Sequence, residues 1–475
     1  MGLKIYNTAA RAKEEFAPLE PGRVRMYVCG VTVYDYCHLG HGRCYTAFDL
    51  IHRYLKYLGY DVLYIQNITD VDDKLIRKAA LEPGGGEVKA KVAALAERYT
   101  RAFFEDMDRL NILRASEYPR ATEHIGEMQG IIAALLEKGY AYRRGANVWF
   151  EIGRFDRYGE LSRRNLDDLR AGARVEIEEE KKSPLDFALW KASGPGEPSW
   201  PSPWGDGRPG WHIECSAMST RYLGMPFDIH GGGQDLIFPH HENEKAQSEA
   251  AAGGALARYW IHNGFVTINR EKMSKSLGNV FNLRDLFARY DPRAIRYFFL
   301  SQHYRSPVDF SEDGLKEAVA ALRRLDDAYG QAAADLEGAS PDPEVLAAFE
   351  TAMNDDFNSA AALAEAHRVV NEFHQGNRDS SRMAALAVIA STLGIELKNP
   401  HHRLDAEAPS GPVDVEELLG RESLDEPDIL ALAGARKRLR ENRQWAEADR
   451  IRDRFRELGI EVRDNPDGTT AVIYY

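Results

Sequence analysis

The hydrophobic pattern near the start of the chain predicts a strand, a helix and a second strand. The run RVRMYVCG (23–30) is typical of a β-strand and ends in glycine, and DVLYIQN (61–67) has the same character. Between them, the apolar residues of TAFDLIHRYLKYLG (46–59) recur at helical spacing, with Gly59 as the expected end of the helix. Such a β–α–β unit is expected to be right-handed, with its two strands parallel.

Helical spacing resumes after the second strand. TDVDDKL (69–75) is typical of a helix start, in which Thr69 or Asp70 is expected to be the N-cap and the acids that follow suit the positive end of the helix dipole. After the loop LEPGGGE (81–87), a long helix is predicted to reach about Leu110.

Shifts in composition divide the rest of the chain. A mixed pattern from 115 to 205 ends in a segment rich in Pro, Gly and Trp, which predicts an ordered, irregular insertion because Trp side chains favour burial. Ala- and Leu-rich sequence predicts a helix bundle, and an acidic, Pro-bearing linker precedes two helices and a hairpin that turns at Pro466–Gly468. The predicted segments are 1–114 together with 206–250, 115–205, 251–310, 311–404, 405–428 and 429–475.

Composition limits the class of protein. The chain has 475 residues, too many for one core, and its 44% hydrophobic and 28% charged content is that of a globular protein. It has no basic-then-apolar leader and no apolar run of membrane-spanning length, so we expect a cytoplasmic location without membrane attachment. Four cysteines, Cys29, Cys37, Cys44 and Cys215, favour reduced thiols or metal ligands over a disulfide framework. The net charge of -13 argues against indiscriminate nucleic-acid binding, but it allows a local basic patch that binds RNA.

The motif HLGH (38–41) lies between the first predicted strand and the first predicted helix. In a β–α–β unit this is where phosphates bind, because unpaired helix N–H groups and the helix dipole point at the anion. Gly40 allows a base or a phosphate to approach the backbone closely, and His38 and His41 can donate hydrogen bonds to phosphate oxygens. Taken alone, these four residues fit equally well a helix start that contains two histidines.

A second motif, KMSKS (272–276), places Lys272 and Lys275 in a loop that can wrap a polyphosphate, although an isolated pair of this kind is usually a solvated basic loop. HxGH after the first strand, with KMSKS far downstream, resembles the class I aminoacyl-tRNA synthetases. The resemblance implies a Rossmann fold that binds ATP with Mg²⁺, forms an aminoacyl-adenylate and transfers the aminoacyl group to tRNA. By position, His38 and His41 would stabilise the α-phosphate. Lys272 and Lys275 would stabilise the departing pyrophosphate.

Two cysteines, one histidine and one glutamate form a candidate zinc set. Cys29 ends the first strand, Cys215 lies in GWHIECSAMS (210–219), and His240 and Glu244 share a face if their segment is helical. Two thiolates, an imidazole and a carboxylate suit zinc, but the sequence contains no CxxC and the spacing alone is a weak signal.

The segments YVCG, PGWHIECSAMS and DIHGGGQDLIFPHHENEKAQSE resemble those of the cysteinyl-tRNA synthetase family. The resemblance implies one zinc ion per chain at the base of the amino-acid pocket, bound by this candidate set, while His241 and Glu242 fall on other helix faces and are not expected to bind it. Zinc bound directly to the substrate thiolate would separate cysteine from serine, because the soft sulfur is the better ligand. A closed structural zinc site is the alternative, since four protein ligands is the structural count.

Further positions match the family's cysteine pocket and nucleotide site. Thr69, Trp211 and His212 correspond to residues around the cysteine substrate, and Asp235 to a residue near the amino group or the nucleotide. For Trp211, a packed aromatic in a Pro-rich loop is nearly as well supported. For Thr69, a helix cap is the commoner use.

The end of the chain resembles the family's small anticodon-binding module. A dense basic stretch and a tryptophan that could stack on a base favour tRNA contact for the segment as a patch. For any one of these residues, a charged amphipathic helix with a buried Trp is favoured instead. The predicted tRNA contacts are Arg436, Lys437, Arg438, Arg440 and Trp445, with Arg443 in the same stretch.

The resemblance covers nearly the whole chain and implies an α/β fold. It assigns residues 1–114 and 206–250 to a Rossmann-type parallel-sheet catalytic domain that contains HLGH and the zinc site. It assigns residues 115–205 to a connective insertion. A stem-contact region that bears KMSKS (251–310), an α-helical bundle and a linker would follow. The small mixed α/β module at 429–475 would bind the anticodon.

The expected activity is the two-step ligation of L-cysteine to tRNA(Cys) with ATP, by a chain that we expect to be monomeric. The closest alternative is a cysteine:amino-sugar ligase of mycothiol synthesis, which keeps the nucleotide motifs and the zinc pocket but lacks the full C-terminal module. Residues 429–475 argue against that ligase. The intact motifs and ligand set argue against a non-catalytic RNA-binding paralog, and plain nucleotidyltransferases with HxGH are usually much shorter.

Overall fold

A computed structural model of the chain has the mixed α/β architecture that the sequence predicts, with a parallel sheet followed by helical sequence. The chain forms two compact units. The structure describes residues 2–83, 86–164, 180–268, 271–272, 281–399, 401–403, 413–421, 424–458, 460–464 and 470–474. The first unit comprises Met1–Ala318, Ala347–Leu363 and Thr392–Ile395, and the second Val319–Leu346, Ala364–Ser391 and Glu396–Tyr475.

Strands and helices are numbered here in chain order. The strands are β1 (Lys4–Asn7), β2 (Ala12–Glu15), β3 (Arg23–Thr32), β4 (Asp61–Thr69), β5 (Ala141–Arg144), β6 (Asn147–Phe150), β7 (Phe187–Ala192), β8 (Gly207–Pro209), β9 (Phe227–Gly233), β10 (Ala257–Asn263), β11 (Val266–Ile268), β12 (Glu271–Lys272), β13 (Val308–Phe310), β14 (His401–Arg403), β15 (Ile460–Asp464) and β16 (Thr470–Tyr474). The helices are α1 (Leu39–Tyr57), α2 (Asp73–Leu81), α3 (Val88–Arg109), α4 (Ile125–Glu137), α5 (Trp211–Leu223), α6 (Glu242–Ala252), α7 (Leu283–Phe287), α8 (Pro292–Leu300), α9 (Glu312–Ala332), α10 (Pro343–Asn354), α11 (Ser359–His374), α12 (Ser380–Thr392), α13 (Val415–Leu419), α14 (Glu426–Glu441) and α15 (Trp445–Glu457). Within the described residues, none of these helices is both long enough and apolar enough to cross a membrane.

A four-stranded parallel sheet in the first unit, in the order β10–β9–β3–β4, forms the base of the candidate site. The pairing of β3 with β4 begins at Arg23 and Asp61, and its pairing with β9 begins at Met26 and Ile229. β3, α1 and β4 are the β–α–β unit that the hydrophobic pattern predicts. The sheet extends beyond the predicted segment boundary at 250, because β10 forms one of its edges.

Strand β3 is buried along most of its length, as a central strand of a parallel sheet must be. Its pairing with β4 is irregular between Val28 and Val31. In this interval Gly30 approaches β4 so closely that a Cβ atom there would lie 1.6 Å from the carbonyl oxygen of Asn67. The approach therefore requires glycine directly after Cys29, and it fixes the stretch of strand that presents the Cys29 thiol.

Helix α1 begins at Leu39, earlier than the apolar spacing of 46–59 indicates. Its N-cap is His38, whose Nδ1 atom accepts a hydrogen bond of 3.4 Å from the backbone N–H of His41. In return, the Nδ1 atom of His41 accepts the N–H of His38 at 3.2 Å. This reciprocal cap satisfies backbone donors that a helix start otherwise leaves unpaired, so the HLGH motif forms the first turn of the helix.

The N-cap of α2 is Asp72, whose side chain accepts a hydrogen bond of 2.7 Å from the N–H of Lys74. The expectation that Thr69 or Asp70 caps this helix was therefore wrong. Thr69 is the last residue of β4, since the strand runs past its hydrophobic stretch. The two carboxylate oxygens of Asp70 accept hydrogen bonds from the N–H and the hydroxyl of Thr122, at 3.0 and 2.6 Å.

The chain between β4 and α5 carries an antiparallel sheet in the order β5–β6–β7–β8. This sheet continues beyond the predicted boundary at 205, because β8 pairs with β7. From the Pro- and Gly-rich segment, Trp204 is buried edge-on against Trp190, with ring centroids 5.8 Å apart. One hydrophobic core joins the insertion to the parallel sheet, and its buried members include Tyr27, Ile65, Met128, Ile132, Phe150, Trp190, Ile213 and Trp260.

The C-terminal part of the second unit contains the two predicted helices, α14 and α15, and the predicted hairpin strands, β15 and β16. The hairpin turn at Pro466–Gly468 lies outside the described residues. Strand β14 pairs with β16, which the sequence pattern did not indicate. Much of the predicted linker 405–428 also lies outside the described residues, although α13 forms within it. The core here consists of Leu418, Ile429, Leu432, Ala433, Ala435, Ile451, Phe455 and Ile460.

Candidate active site

Four side chains predicted as metal ligands converge on one buried point in the first unit. Their candidate ligand atoms all lie within 4.8 Å of one another. The Sγ atom of Cys29 is 3.8 Å from the Sγ atom of Cys215 and 3.3 Å from the Oε1 atom of Glu244. The Nε2 atom of His240 is 2.9 Å from the same Oε1 atom. These four residues, which we call the two-thiol set, can therefore hold a metal ion.

Each member of the two-thiol set comes from a different element. Cys29 lies in the irregular end of β3, Cys215 in α5, and Glu244 in the first turn of α6. His240 lies in a π-helical turn, Ile237–His241, that leads directly into α6. His240 and Glu244 share a face as expected, because the turn and the helix are continuous over the four positions between them.

The charges in the two-thiol set favour a bound cation. Burial would raise the pKa of Cys215, but its hydrogen bond with Cys29 and the neighbouring His240 lower that pKa to about 6. Burial raises the pKa of Cys29 well above its usual value, so Cys29 is the protonated thiol and Cys215 is the thiolate of the pair. Burial would also raise the pKa of Glu244, but His240 and His230 hold it well below its ordinary range. In the structure His240 supplies the positive charge that this buried thiolate and carboxylate require, because burial would lower its pKa but Glu244 and Cys215 raise it to about 10. A divalent cation bound to the set would take the place of that proton.

Trp211 and His212 begin α5 and surround the ring of His240. The Nδ1 atom of His212 lies 2.9 Å from the Nδ1 atom of His240, whose other ring nitrogen faces Glu244. Burial and the charge of His240 lower the pKa of His212 well below its usual value, so His212 is neutral and can accept this hydrogen bond. The ring of Trp211 stacks on that of His240 with centroids 4.3 Å apart, although Trp211 is 41% exposed. Partners of this kind fix the orientation of a metal-binding imidazole.

His241 does not point away from the cluster, so the expectation that it falls on another helix face was wrong. Its Nε2 atom lies 3.3 Å from the Sγ atom of Cys29, and its Nδ1 atom lies 2.8 Å from the Nε2 atom of His262 on β10. His230 on β9 also reaches the cluster, with its Nε2 atom 2.9 Å from the Oε2 atom of Glu244. His241 lies three positions before Glu244, and residues three apart share a helix face, so a regular helical period already directs His241 toward Glu244.

Glu242 and Lys245 hold the insertion against α6. The two carboxylate oxygens of Glu242 accept the backbone N–H groups of Gly159 at 2.9 Å and of Ser162 at 2.7 Å. The Nζ atom of Lys245 lies 3.1 Å from the carboxylate of Glu160 in the insertion and 3.2 Å from that of Glu249 on α6. Both residues are thus committed to partners outside the two-thiol set.

A hydrogen-bond network that the sequence did not reveal connects Thr69 to α5. The Oγ1 atom of Thr69 donates to the Oε2 atom of Glu214 at 2.9 Å and accepts from the Nδ2 atom of Asn67 at 3.2 Å. The Oδ1 atom of Asn67 accepts the N–H of Gly30 at 2.8 Å and the hydroxyl of Tyr27 at 3.0 Å. All four side chains are buried. Thr69 is therefore joined both to β3 and to the helix that carries one of the two thiols.

Sequence reasoning assigned no role to His230 and His262, and none to Asn67 or Glu214. For the histidines a signal existed: of the chain's 14 histidines, His212, His230, His240, His241 and His262 fall in one short stretch. For the other two no local signal existed, because a single Asn in a strand and a single Glu in a helix are common.

The imidazole rings of His38 and His41 stack with centroids 3.8 Å apart at the start of α1. Because both Nδ1 atoms accept backbone hydrogen bonds, each neutral ring carries its proton on Nε2. The Nε2–H groups are thus the donors that these rings can offer to a phosphate. Gly40 lies between them in the first turn, where backbone N–H groups also favour an anion.

The other residues predicted around the nucleotide lie after β9 and in β12. Asp235 is in the turn that follows β9, and a Cβ atom at Gly233 would lie 2.5 Å from its Oδ1 atom, so glycine leaves room for this carboxylate. Lys272 ends β12, which pairs with β11, and Lys275 lies outside the described residues. In α/β folds, the carboxyl ends of parallel strands such as β3 and β9 are where nucleotides bind.

The basic residues of α14 divide between a buried and an exposed face. Arg436 is only 7% exposed, because it lies on the face that carries Ile429 and Leu432. Arg436 is thus the least exposed of the predicted tRNA contacts, and its contact with tRNA stays a prediction. Arg438 and Arg440 are exposed.

Trp445 is the first residue of α15 and is 55% exposed, so it is not the buried Trp of an amphipathic helix. It follows Arg443, which turns the chain from α14 into α15 with a φ of 58°. Lys437 is half-buried on α14. The exposed ring of Trp445, together with Arg438 and Arg440 on α14, remains among the predicted tRNA contacts.

Comparison with known proteins identifies the family. Residues 15–320 match the tRNA synthetases class I (C) catalytic domain, residues 348–397 the DALR domain, and residues 426–470 the cysteinyl-tRNA ligase anticodon binding domain. The cysteine–tRNA ligases of Thioalkalivibrio sulfidiphilus and Geobacter metallireducens are 51% and 47% identical to the chain. The alignments cover 98% and 99% of this chain, and 99% of each relative.

The chain belongs to the cysteine–tRNA ligase family.

Membership of this family confirms the resemblance that the motifs indicate. The match of the anticodon binding domain and the full-length coverage favour a cysteine–tRNA ligase over the amino-sugar ligase alternative. Among solved structures, methionyl-tRNA synthetase of Mycobacterium tuberculosis with methionyl-adenylate has a TM-score of 0.56 at 18% identity, over 78% of this chain and 89% of that chain. A LeuRS–tRNA complex from Agrobacterium radiobacter has a TM-score of 0.58 at 12% identity, over 80% and 85%. These likenesses show the fold alone, and they confirm the predicted Rossmann-type α/β class.

Proposed function

We propose that the chain ligates L-cysteine to tRNA(Cys) in two steps. Cysteine and ATP first form cysteinyl-adenylate and release pyrophosphate, and the cysteinyl group then passes to the 3'-terminal ribose of the tRNA. The observation that carries the proposal is the buried convergence of Cys29, Cys215, His240 and Glu244 in a member of this ligase family. A site with two thiols beside a nucleotide-binding fold is suited to the selection of a thiol substrate.

The two-thiol set fits a zinc ion, one per chain. Two sulfurs, an imidazole and a carboxylate are zinc ligands, and their atoms already lie close enough to share one ion. Zinc bound there would supply a soft Lewis acid that prefers a thiolate to an alcohol, which shape alone separates poorly. Within this chain, His212 would orient His240, and Trp211 would cover one face of its ring. Thr69 would form part of the wall of the cysteine pocket.

ATP, accompanied by Mg²⁺, would bind at the start of α1. The Nε2–H donors of His38 and His41 and the backbone at Gly40 suit the α-phosphate, on which negative charge increases during attack by the cysteine carboxylate. Lys272 and Lys275 are proposed to bind the departing pyrophosphate. Asp235 is proposed to lie near the amino group of cysteine or the nucleotide. These groups would act mainly by positioning and by charge stabilisation, because phosphoryl chemistry needs little covalent help from a protein.

The tRNA would contact the C-terminal module through Lys437, Arg438, Arg440 and Trp445. Guanidinium groups suit phosphates, and an exposed indole can stack on an unpaired base. An acidic chain with a local basic patch would bind one RNA region in preference to any polyanion. A monomeric, cytoplasmic chain is part of this proposal.

Two assays on the purified chain test the function. Cysteine should support ATP–pyrophosphate exchange and the charging of a tRNA(Cys) transcript, while serine at equal concentration should support neither. Exchange with cysteine but without charging of tRNA would contradict the ligase and favour the amino-sugar ligase. Metal analysis of the same sample should give about one zinc per chain.

A further inference from the structure

A second group of four potential ligands overlaps the two-thiol set. Cys29, His230, His241 and Glu244 also have ligand atoms that all lie within 4.8 Å of one another, and all four residues are buried. We call this group the two-histidine set. It shares Cys29 and Glu244 with the two-thiol set, and it contains His230 and His241 in place of Cys215 and His240. Among the described residues, no other metal-type group is found.

The two sets have matching support around them. In the two-thiol set, one ring nitrogen of His240 faces Glu244 and the other contacts His212 at 2.9 Å. In the two-histidine set, the Nε2 atom of His241 faces the Cys29 thiol at 3.3 Å, and its Nδ1 atom contacts His262 at 2.8 Å. An imidazole with one nitrogen directed to the cluster and the other held by an outer hydrogen bond is the usual arrangement of a metal-ligating histidine.

Two further observations point to the same place. The Nδ1 atom of His262 lies 2.7 Å from the hydroxyl of Thr8, so the outer partner of His241 is itself held in position. His230 is fully buried, and its Nδ1 atom has no hydrogen-bond partner while its Nε2 atom lies 2.9 Å from Glu244. The Nε2 atom of His230 is therefore the nitrogen directed to the cluster, and, unlike His241, His230 has no outer hydrogen bond on its Nδ1 atom.

We propose that the two-histidine set is a second coordination position for the same divalent cation that the two-thiol set binds. This inference rests on the proposed zinc function. One chain holds one ion, because both positions need Cys29 and Glu244. The two-thiol set is the preferred position for zinc, since it offers two soft sulfurs, and one sulfur with two imidazoles still suits zinc or cobalt.

The proposal makes Cys215 and His240 individually dispensable for holding the ion, whereas Cys29 and Glu244 are not. Loss of Cys215 or His240 leaves the two-histidine set complete. Loss of His230 or His241 leaves the two-thiol set complete. Only the removal of a shared ligand, or of one ligand from each set, leaves fewer than four ligands in both.

The test measures bound cobalt or zinc by elemental analysis after metal loading and desalting of the full-length chain. We expect about one ion per chain in Cys215→Ala, in His241→Ala and in the double variant Cys215→Ala/His240→Ala, which damages only one set. The double variant Cys215→Ala/His241→Ala removes the same number of ligands, but one from each set, and should retain less metal after desalting than Cys215→Ala/His240→Ala. In cobalt-loaded Cys215→Ala, the thiolate-to-cobalt absorption should fall to about half, because one of two thiolates is gone.

Two outcomes would overturn the proposal. One is a Cys215→Ala/His240→Ala chain that binds no metal, and the other is a Cys215→Ala/His241→Ala chain that retains as much metal as Cys215→Ala/His240→Ala. If the alanine variants do not fold, Cys215→Ser and His240→Gln repeat the same comparison with nearly unchanged volume. A wild-type chain that charges tRNA and binds zinc while Cys215→Ala/His240→Ala is metal-free would refute only this inference, whereas a metal-free wild type would refute the zinc function itself.

Discussion

The hydroxyl of Thr69 donates a hydrogen bond of 2.9 Å to the Oε2 atom of Glu214, a residue 145 positions away in the chain. The bond joins the end of β4 to the first turn of α5, directly before Cys215. Burial raises the pKa of Glu214 well above its usual value, which marks it as a group that depends on its few polar neighbours. The position of the helix that presents Cys215 is thus coupled to a side chain proposed to line the cysteine pocket.

Replacement of Thr69 by valine should therefore affect both stability and cysteine binding. The substitution keeps the shape but removes the hydroxyl, so Glu214 and Asn67 lose a buried partner, at a cost of about 1–3 kcal/mol in the free energy of unfolding. The KM for cysteine in pyrophosphate exchange should rise while that for ATP stays the same. Thr69→Ser, which retains the hydroxyl, should behave nearly as the wild type. Urea unfolding and exchange kinetics that are unchanged in Thr69→Val would show that the bond is unimportant.

Removal of Cys29 should abolish metal binding, because this thiol belongs to both ligand sets. In Cys29→Ser we expect no bound zinc, and the preference for cysteine over serine in pyrophosphate exchange should fall to about 100-fold or less, the level that a pocket without a specific contact achieves. Cys37→Ser is the matched control, since Cys37 is equally buried but lies in neither set. Full zinc content in Cys29→Ser would contradict the assignment of the site.

Lys275 should matter for the first step of the reaction. Loss of one preorganised positive charge at a developing anion costs about 10²–10³-fold in rate, so Lys275→Ala should lower kcat for pyrophosphate exchange by that factor. Lys316→Ala is a suitable control, because Lys316 is an exposed lysine paired with Asp313 on α9. A Lys275→Ala chain with normal exchange would place the pyrophosphate contact elsewhere.

Arg438 and Arg440 should contribute to tRNA binding but not to adenylate formation. The double variant Arg438→Ala/Arg440→Ala should raise the KM for tRNA(Cys) and weaken its salt dependence, because each lost phosphate contact lowers the number of counterions released. Pyrophosphate exchange should be unchanged. The double variant Arg452→Ala/Arg456→Ala removes the same charge from α15, where both arginines pair with acids, and should have less effect. Equal effects from the two double variants would indicate only a general loss of positive charge.

His52 should make the stability of the chain depend on pH. Burial lowers the pKa of His52 to about 4, although the Asp49 carboxylate opposes this shift. Between the folded pKa and the ordinary value near 6.5 the unfolded chain binds the extra proton, so stability is present above pH 6.5 and is lost as the pH falls toward 4.

The loss from this one group between pH 7 and pH 5 is up to about 2 kcal/mol. His52→Phe, which keeps a ring at the same place, should remove that component. The difference in unfolding free energy between pH 7 and pH 5, measured with urea, should thus be smaller in the variant than in the wild type. An identical difference in both chains would show that His52 titrates normally.

The sequence by itself determined the elements and the main chemistry of this protein. Hydrophobic periodicity placed β3, α1 and β4, because local spacing decides which face a strand or a helix buries. The motifs HLGH and KMSKS, together with the segments around the two thiols, indicated the family and the two-thiol set. These signals lie within short stretches, so they can be detected without knowledge of the fold.

Only the tertiary structure decided which distant groups meet. The contact of Thr69 with Glu214, the direction of His241 toward Cys29 and the close approach of Gly30 to Asn67 all depend on how separate elements pack. The packing of α14 likewise decided that Arg436 is only 7% exposed. Local pattern cannot determine such contacts, because their energies arise from partners that are far apart in sequence and become neighbours only when the sheet and the helices are assembled.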